Sequence, residues 1–187
     1  MGGLFSVPSL QMAFSLAPNL VDLDLLLSTP DLPGILDGVS LPQLCFFRTN
    51  VHHHILLPFL MAHKKIQVIS LATCGSPEGM VCPLSPVNLP KLRTLCAPAT
   101  CVPSLANADL FRLTLLASDG SSTPPLILRT MRSLSLVYSL TIDFCADDYD
   151  VLLGVIRTCS NVKKLKLLET SAAHVRTRAQ ASQVSLY

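Results

Sequence analysis

Histidine and cysteine are the side chains of this sequence that could hold a metal or supply a nucleophile. His52, His53 and His54 are consecutive, and His63 follows nine residues after the last of them. Consecutive residues of an extended segment point to opposite sides, and a nine-residue separation does not align two side chains on one helix face. The sequence contains no C-x-x-C pair of the kind that binds zinc. These spacings predict a solvated turn rather than a metal site.

The seven cysteines are scattered, and those from Cys74 to Cys101 are separated by eight, fourteen and five residues. An odd number of cysteines without a regular framework favours free thiols, which are typical of a cytoplasmic or nuclear protein. We interpret Cys74 as an inward packing residue of a repeat and expect no metal, no cofactor and no catalytic residue. No local motif supports a Cys paired with a His, so a Cys/His hydrolase is the less favoured alternative.

The acidic run at 147–150 lacks the alternating oxygen ligands and the glycine of a calcium loop. It is typical of the first turn of a helix, where acidic side chains interact favourably with the helix dipole, and it predicts a helix over 147–158. A second helix is predicted over 54–63, with Pro58 in its first turn, where a missing N–H costs little. Weaker helical patterns cover 103–108 and 125–132.

These segments lie between copies of a short phrase: apolar, two residues, apolar, one residue, apolar, two residues, then a small polar residue or Cys. Successive copies begin 24, 22, 26, 18, 27 and 25 residues apart. This length and grammar are typical of leucine-rich repeats. A Leu-Pro-x-Leu sequence enters two of the copies, at 41–44 and 89–92, and its proline predicts the end of the preceding return segment. The copies begin at Leu20, Leu44, Ile66, Leu92, Leu110, Val137 and Val162.

The last position of the phrase never carries a bulky aliphatic residue. In a leucine-rich repeat we expect this residue to turn inward and to hydrogen-bond the backbone of the neighbouring turn. The residues at this position are Ser28, His52, Cys74, Thr100, Ser118, Cys145 and Thr170.

The phrase predicts an α/β leucine-rich-repeat solenoid of about seven units over residues 16–170. Each unit contributes a short strand to a parallel concave sheet, and helices and loops return on the convex side. Residues 1–15 are expected to form a partial repeat or an imperfect cap, and residues 171–187 a loosely ordered tail. An ordinary α/β domain is the alternative fold.

Composition narrows the classes of partner. The formal net charge is +2 and 14% of residues are charged, which is too weak a basic balance for a nucleic-acid or anionic membrane partner. No apolar run approaches the roughly 18 residues that a membrane helix needs. Residues 1–6 match the pattern for myristoylation at Gly2, but no basic cluster supplies a second membrane signal.

Alternation along each predicted strand separates residues that point into the core from residues that face the concave side. The second set runs from acidic at one end to basic at the other, so a partner of reversed polarity would be steered into register. Phe46, Arg48 and Arg112 are the expected anchors, because aromatic residues and Arg dominate interface energetics. The predicted binding residues are Asp22, Asp24, Phe46, Arg48, Arg112, Thr114, Thr141, Lys164 and Lys166.

Three segments carry a family resemblance: 16–23 (LAPNLVDL), 89–95 (LPKLRTL) and 159–167 (CSNVKKLKL). They resemble the irregular leucine-rich repeats of fungal, basidiomycete-type F-box proteins. The resemblance implies a protein-interaction module similar to the substrate-recognition repeats of SCF-type ubiquitin ligase receptors. This sequence shows no F-box, so an adaptor of the ligase is an expected partner only if an F-box lies upstream. A structural repeat fragment without independent function is the alternative.

Overall fold

Seven short strands follow one another in the computed structural model, which describes residues 6–76, 80–107, 109–116, 134, 136–144, 155 and 161–169. Each strand begins two residues after the start of a phrase, as the repeat predicts. The strands are β1 (Asp22–Leu25), β2 (Phe46–Thr49), β3 (Val68–Leu71), β4 (Thr94–Pro98), β5 (Arg112–Leu116), β6 (Ser139–Phe144) and β7 (Lys164–Glu169).

All seven strands form one parallel sheet in sequence order, from β1 to β7. Neighbouring strands pair so that equivalent positions of successive phrases lie side by side, for example Leu23 beside Phe47 and Leu113 beside Leu140. The prediction of an α/β fold with seven parallel strands is confirmed. The sheet is compatible with a solenoid-like architecture, in which each unit contacts its neighbours in the chain.

The core lies on one side of the sheet, because the apolar phrase positions of β1 to β6 all point to that side. Leu23, Ile69, Leu95 and Leu140 are buried, and the residues between them are more accessible. The strand β7 differs, since Leu165 is 44% exposed. Among the described strands β7 has a neighbour only on the β6 side, so its apolar positions are covered on one flank.

A tight turn precedes the strands and recurs from unit to unit. The N–H of the first phrase residue donates to the carbonyl three residues earlier, as in Leu44 to Leu41 and Leu92 to Leu89, both at 3.0 Å. Proline occupies the second position of these two turns, where its fixed φ is favourable. The prediction that Leu-Pro-x-Leu closes the return segment before a strand is confirmed.

Side-chain hydrogen bonds between units come from residues that precede the last position of the phrase, whereas we expected them from that last position. Asn50 accepts a hydrogen bond from the Leu27 N–H at 2.8 Å and donates to the Leu27 carbonyl at 2.6 Å. Thr49 donates to the Leu25 carbonyl at 2.8 Å. By contrast, Ser28 and Thr100 at the last position are exposed. The prediction for that position was wrong in these two units, since Ser28 follows β1 in an exposed segment and the 3₁₀ turn exposes Thr100 between the buried Ala99 and Cys101.

Short helices occupy some of the connections. The helix α1 (Val7–Ser15) precedes β1 and buries Phe14, and α2 (His53–Ala62) connects β2 to β3. A 3₁₀ turn (Ala99–Cys101) and α3 (Val102–Leu105) follow β4. The predicted helix over 54–63 is confirmed within one residue, whereas the pattern over 103–108 begins earlier and is shorter.

Two details of α2 correct the sequence analysis. Pro58 lies at the sixth helical position, in the second turn rather than the first. His63, expected in a solvated turn, is buried: its Nδ1 lies 2.6 Å from the Phe59 carbonyl, and its Nε2 accepts a hydrogen bond from the Leu41 N–H at 2.9 Å. Both nitrogens are paired, which makes a buried neutral imidazole tolerable.

Several predictions lie outside the described residues. They concern Gly2, the helix over 125–132, the last phrase positions Ser118, Cys145 and Thr170, and the tail over 171–187. Of the helix predicted over 147–158, only Val155 is described, and it is helical and buried. In the part of the chain that is described, no helix has the length and apolar character needed to cross a membrane.

Candidate functional site

The side of the sheet away from the core carries two rows of side chains, which we call the outer face. The strand register aligns the outward residues of all seven strands. Half of these residues are exposed and the rest are half-buried, so the face is open to solvent. The first row is Asp22, Phe46, Val68, Thr94, Arg112, Ser139 and Lys164, and the second is Asp24, Arg48, Ser70, Cys96, Thr114, Thr141 and Lys166.

The structure places all nine predicted binding residues on the outer face, and their role in binding stays a prediction. At the acidic end, Arg48 lies directly beside Asp24, and its Nη1 is 3.7 Å from the Asp24 carboxylate. Both side chains are more than half exposed, so the pair contributes at most about 1 kcal/mol to stability. Its main effect is to neutralise part of the negative charge at this end.

The opposite end of the outer face is basic. Arg112 lies between Thr94 and Ser139, which carry no charge, and Lys164 and Lys166 follow on β7. Adjacent strands lie about 4.8 Å apart, so Arg112 and Lys164 are separated by about one Debye length at physiological salt. At this distance each field is largely screened from the other, so the basic character of β5 to β7 comes from separate positive charges on two strands.

The middle of the face is nearly neutral. Cys96 lies there on β4, between Ser70 and Thr114 of the second row. Burial raises the pKa of the Cys96 thiol, so it is uncharged at neutral pH. The two rows carry no charged side chain in this middle section, although Asp143, the next alternate residue of β6 after Thr141, is close enough to add to the raised pKa of Cys96.

An exposed aromatic pair lies at the amino-terminal edge of the sheet. The rings of Phe111 and Tyr138 stack with their centroids 5.1 Å apart and their planes 6° from parallel. They immediately precede Arg112 and Ser139, and 44% and 36% of their surfaces are exposed. This pair is not among the binding residues predicted from the sequence, although both residues hold the same position in two successive units.

The three consecutive histidines separate into two environments. The Asp31 carboxylate lies 3.3 Å from His54 Nε2 and 3.7 Å from His52 Nδ1, at the surface. His53, between them, is fully buried. The expectation of a solvated turn was therefore wrong for His53, because α2 begins at this residue and turns its side chain inward.

His53 faces three cysteines at the carboxyl-terminal edge of β2, β3 and β4. One ligand atom from each of His53, Cys74, Cys82 and Cys101 lies within 4.8 Å of those of the other three. His53 and Cys101 are completely inaccessible, Cys82 is 5% exposed, and Cys74 is half-buried. His53 Nδ1 is 3.2 Å from Cys82 Sγ. Sequence spacing did not indicate this cluster, since the sheet brings together residues of three connections.

Hydrogen bonds among the three thiols of the cluster shift their pKa values. Hydrogen bonds from Cys101 and Cys82 lower the pKa of Cys74 far below its usual value. The same hydrogen bond to Cys74 raises the pKa of Cys101. The bond with Cys101 lowers the pKa of Cys82, but the contact with Cys74 and burial outweigh it and raise this pKa to about 11.

Comparison with known proteins adds no relative to this description. No protein-family model matches the chain, and neither a curated protein nor a solved structure matches it. The proposals about function therefore rest on the outer face of the sheet and on the cluster of His53 with three cysteines.

Proposed function

We propose that the chain is a leucine-rich-repeat module that binds another protein through the outer face. The observation that carries the proposal is the open, in-register face with an acidic end, a neutral middle and a basic end. A partner surface of reversed polarity would match both ends in one orientation, which favours correct docking over other arrangements. The ligase-receptor role implied by the sequence resemblance is a narrower form of the same proposal and requires an F-box upstream.

Side chains suited to dominate such an interface lie near both ends. Phe46 is 43% exposed beside Asp22 on the first row. Arg112 lies next to the stacked Phe111 and Tyr138. Large aromatic and Arg side chains supply most of the binding free energy in protein interfaces. We therefore add Phe111 and Tyr138 to the predicted binding residues.

Substitution of Arg112 tests the proposal. We expect Arg112→Ala to weaken capture of the cellular partner by about 5-fold or more, because Arg is enriched among the interface residues whose truncation costs over about 1 kcal/mol. Arg48→Ala should have a smaller effect, since Asp24 already pairs with that charge. Quantitative co-precipitation with the full chain measures both, and circular dichroism checks that the variants fold.

Lys91→Ala is the matched control, because Lys91 is exposed in the turn before β4 and lies off the outer face. Equal capture by the Arg112→Ala and Lys91→Ala variants would contradict the proposal. A partner captured equally well after Lys164 and Lys166 are both changed to Glu would contradict the role of charge polarity.

One observation favours the alternative of a Cys/His hydrolase, namely the 3.2 Å contact between His53 and Cys82. Two others oppose Cys82 as the nucleophile, although the half-buried Cys74 of the same cluster has a lowered pKa. His53 and Cys82 are both buried, so a substrate has no access to the Cys82 sulfur. The pKa of Cys82 is raised to about 11, whereas a nucleophilic cysteine needs a lowered pKa.

A further inference from the structure

We propose that His53, Cys74, Cys82 and Cys101 form a structural zinc site that cross-links three successive units of the sheet. The four ligand atoms lie within 4.8 Å of one another. A tetrahedral Zn²⁺ with Zn–S bonds of about 2.3 Å and a Zn–N bond of about 2.0 Å separates its ligand atoms by about 3.5–3.8 Å. Closure around the ion therefore requires shifts of about 1 Å or less, which side-chain rotations can supply.

The donor set favours zinc over the other common biological cations. Three sulfurs and one imidazole nitrogen are soft or borderline donors, whereas calcium and magnesium prefer oxygen. Three Cys and one His is a composition known for structural zinc sites. The four ligands complete a tetrahedron, so the site leaves no position open for a reacting molecule. Its expected contribution is to stability.

The surroundings fit a closed site. Three of the four residues are at least nine-tenths buried, and His53 Nε2 is buried without a hydrogen-bond partner among the described residues. The nitrogen that faces the thiols is Nδ1, 3.2 Å from Cys82 Sγ, so Nδ1 is the expected zinc ligand and the unpartnered Nε2 does not itself bear on the ion. The His53 N–H also donates to the Cys74 carbonyl at 3.1 Å, which fixes two of the ligand-bearing turns relative to each other.

The fold brings the ligands from three different connections. His53 is the first residue of α2 after β2, Cys74 and Cys82 follow β3, and Cys101 ends the 3₁₀ turn after β4. Parallel strands in register place these connections at one edge of the sheet. A bound ion would therefore add a direct link between units that strand pairing, core packing and a few hydrogen bonds already connect. This inference is independent of the proposed protein binding.

Metal content of the purified full chain tests the site. Protein made in zinc-supplemented cells and purified under reducing conditions should contain about one zinc per chain by elemental mass spectrometry. Cys101→Ser and Cys74→Ser should each weaken zinc binding by at least about 100-fold, because a tetrahedral site loses one of its four ligands. Cys96→Ser is the matched control, since Cys96 is free but lies on the outer face.

Two further measurements use the unaltered chain, so they do not depend on whether a variant folds. Titration with Co²⁺ should give the visible absorption of a tetrahedral thiolate site, and zinc should displace it. Zinc should also slow alkylation of Cys74 by at least about 10-fold while leaving Cys45 unchanged, because metal-bound thiolate is a weaker nucleophile.

Three results would overturn the proposal. The first is a zinc-supplied chain that binds less than about a tenth of an equivalent, and the second is equal loss of zinc in the Cys96→Ser and Cys101→Ser variants. The third is a disulfide between two of the clustered cysteines in protein kept under reducing conditions. Iron in place of zinc, with zinc supplied in excess, would reject the assignment of the ion.

Discussion

Residues that are adjacent in sequence have opposite roles in the first part of β6. Leu140 is completely buried among the apolar phrase positions, whereas Thr141 lies on the outer face beside Thr114 and Lys166. The same change at the two positions should therefore have very different effects on stability.

Leu140→Asp should destabilise the fold by more than about 4 kcal/mol, because it places an unpaired carboxylate in the core. Thr141→Asp should change the free energy of unfolding by about 1 kcal/mol or less, since its side chain points to solvent and to Lys166. Urea denaturation followed by circular dichroism measures both. Similar shifts of the two midpoints would mean that the inward and outward positions are wrongly assigned.

Single residues also mark the limit of what the sequence could predict. The alternation of buried and outward residues followed from the phrase, because a strand has a period of two. The burial of His53 and His63 did not follow, since each is buried by residues distant in sequence, Cys82 in one case and Leu41 in the other. A polar residue becomes acceptable in a core only through such partners, and their positions require the fold.

At the scale of elements, the turn that follows β3 depends on one glycine. Gly75 has a φ of +72°, a region that other residues rarely adopt, and a Cβ at this position would clash with the His52 ring. Gly38 has a similar φ of +69°, but no atom lies within 4 Å of the place that a Cβ would occupy there. The two glycines therefore separate the cost of backbone strain from the cost of the clash.

Gly38→Ala should cost about 1–2 kcal/mol from backbone strain alone. Gly75→Ala should cost at least about 1 kcal/mol more, because the His52 ring must also move. Thermal unfolding of the two variants provides the comparison. Equal losses would show that the turn after β3 adapts to a side chain without cost.

The strands were more predictable than the connections between them. All seven strands begin where the phrase predicts, because the pattern reports the core that each strand covers. The helical connections were less regular: Pro58 lies in the second turn of α2, and α3 is only four residues long. Packing against neighbouring units decides their lengths, and local propensity is a weak guide to it.

In the molecule as a whole, each strand is held by its neighbours in the sheet. This arrangement predicts that local stability is lower at the ends of the sheet than in the middle. Among the described strands, each inner strand pairs with two others, whereas β1 and β7 pair with one. Opening of the structure should therefore begin at the ends and reach the middle last.

Amide protons of β3, β4 and β5 should exchange at least about 10-fold more slowly than those of β1 and β7. Hydrogen–deuterium exchange with peptide-level mass spectrometry tests this order. Uniform protection over all seven strands would indicate one cooperative unit and would contradict independent opening of the ends.

The strand register is the same between successive units, and this affects how the chain could gain or lose a unit. Duplication or excision of one whole unit would lengthen or shorten the outer face by about 4.8 Å and would leave the pairing of the remaining strands intact. The connections after β2, β3 and β4 are the exception, because His53, Cys74, Cys82 and Cys101 depend on one another across them. Gene rearrangement should therefore be penalised between β2 and β4.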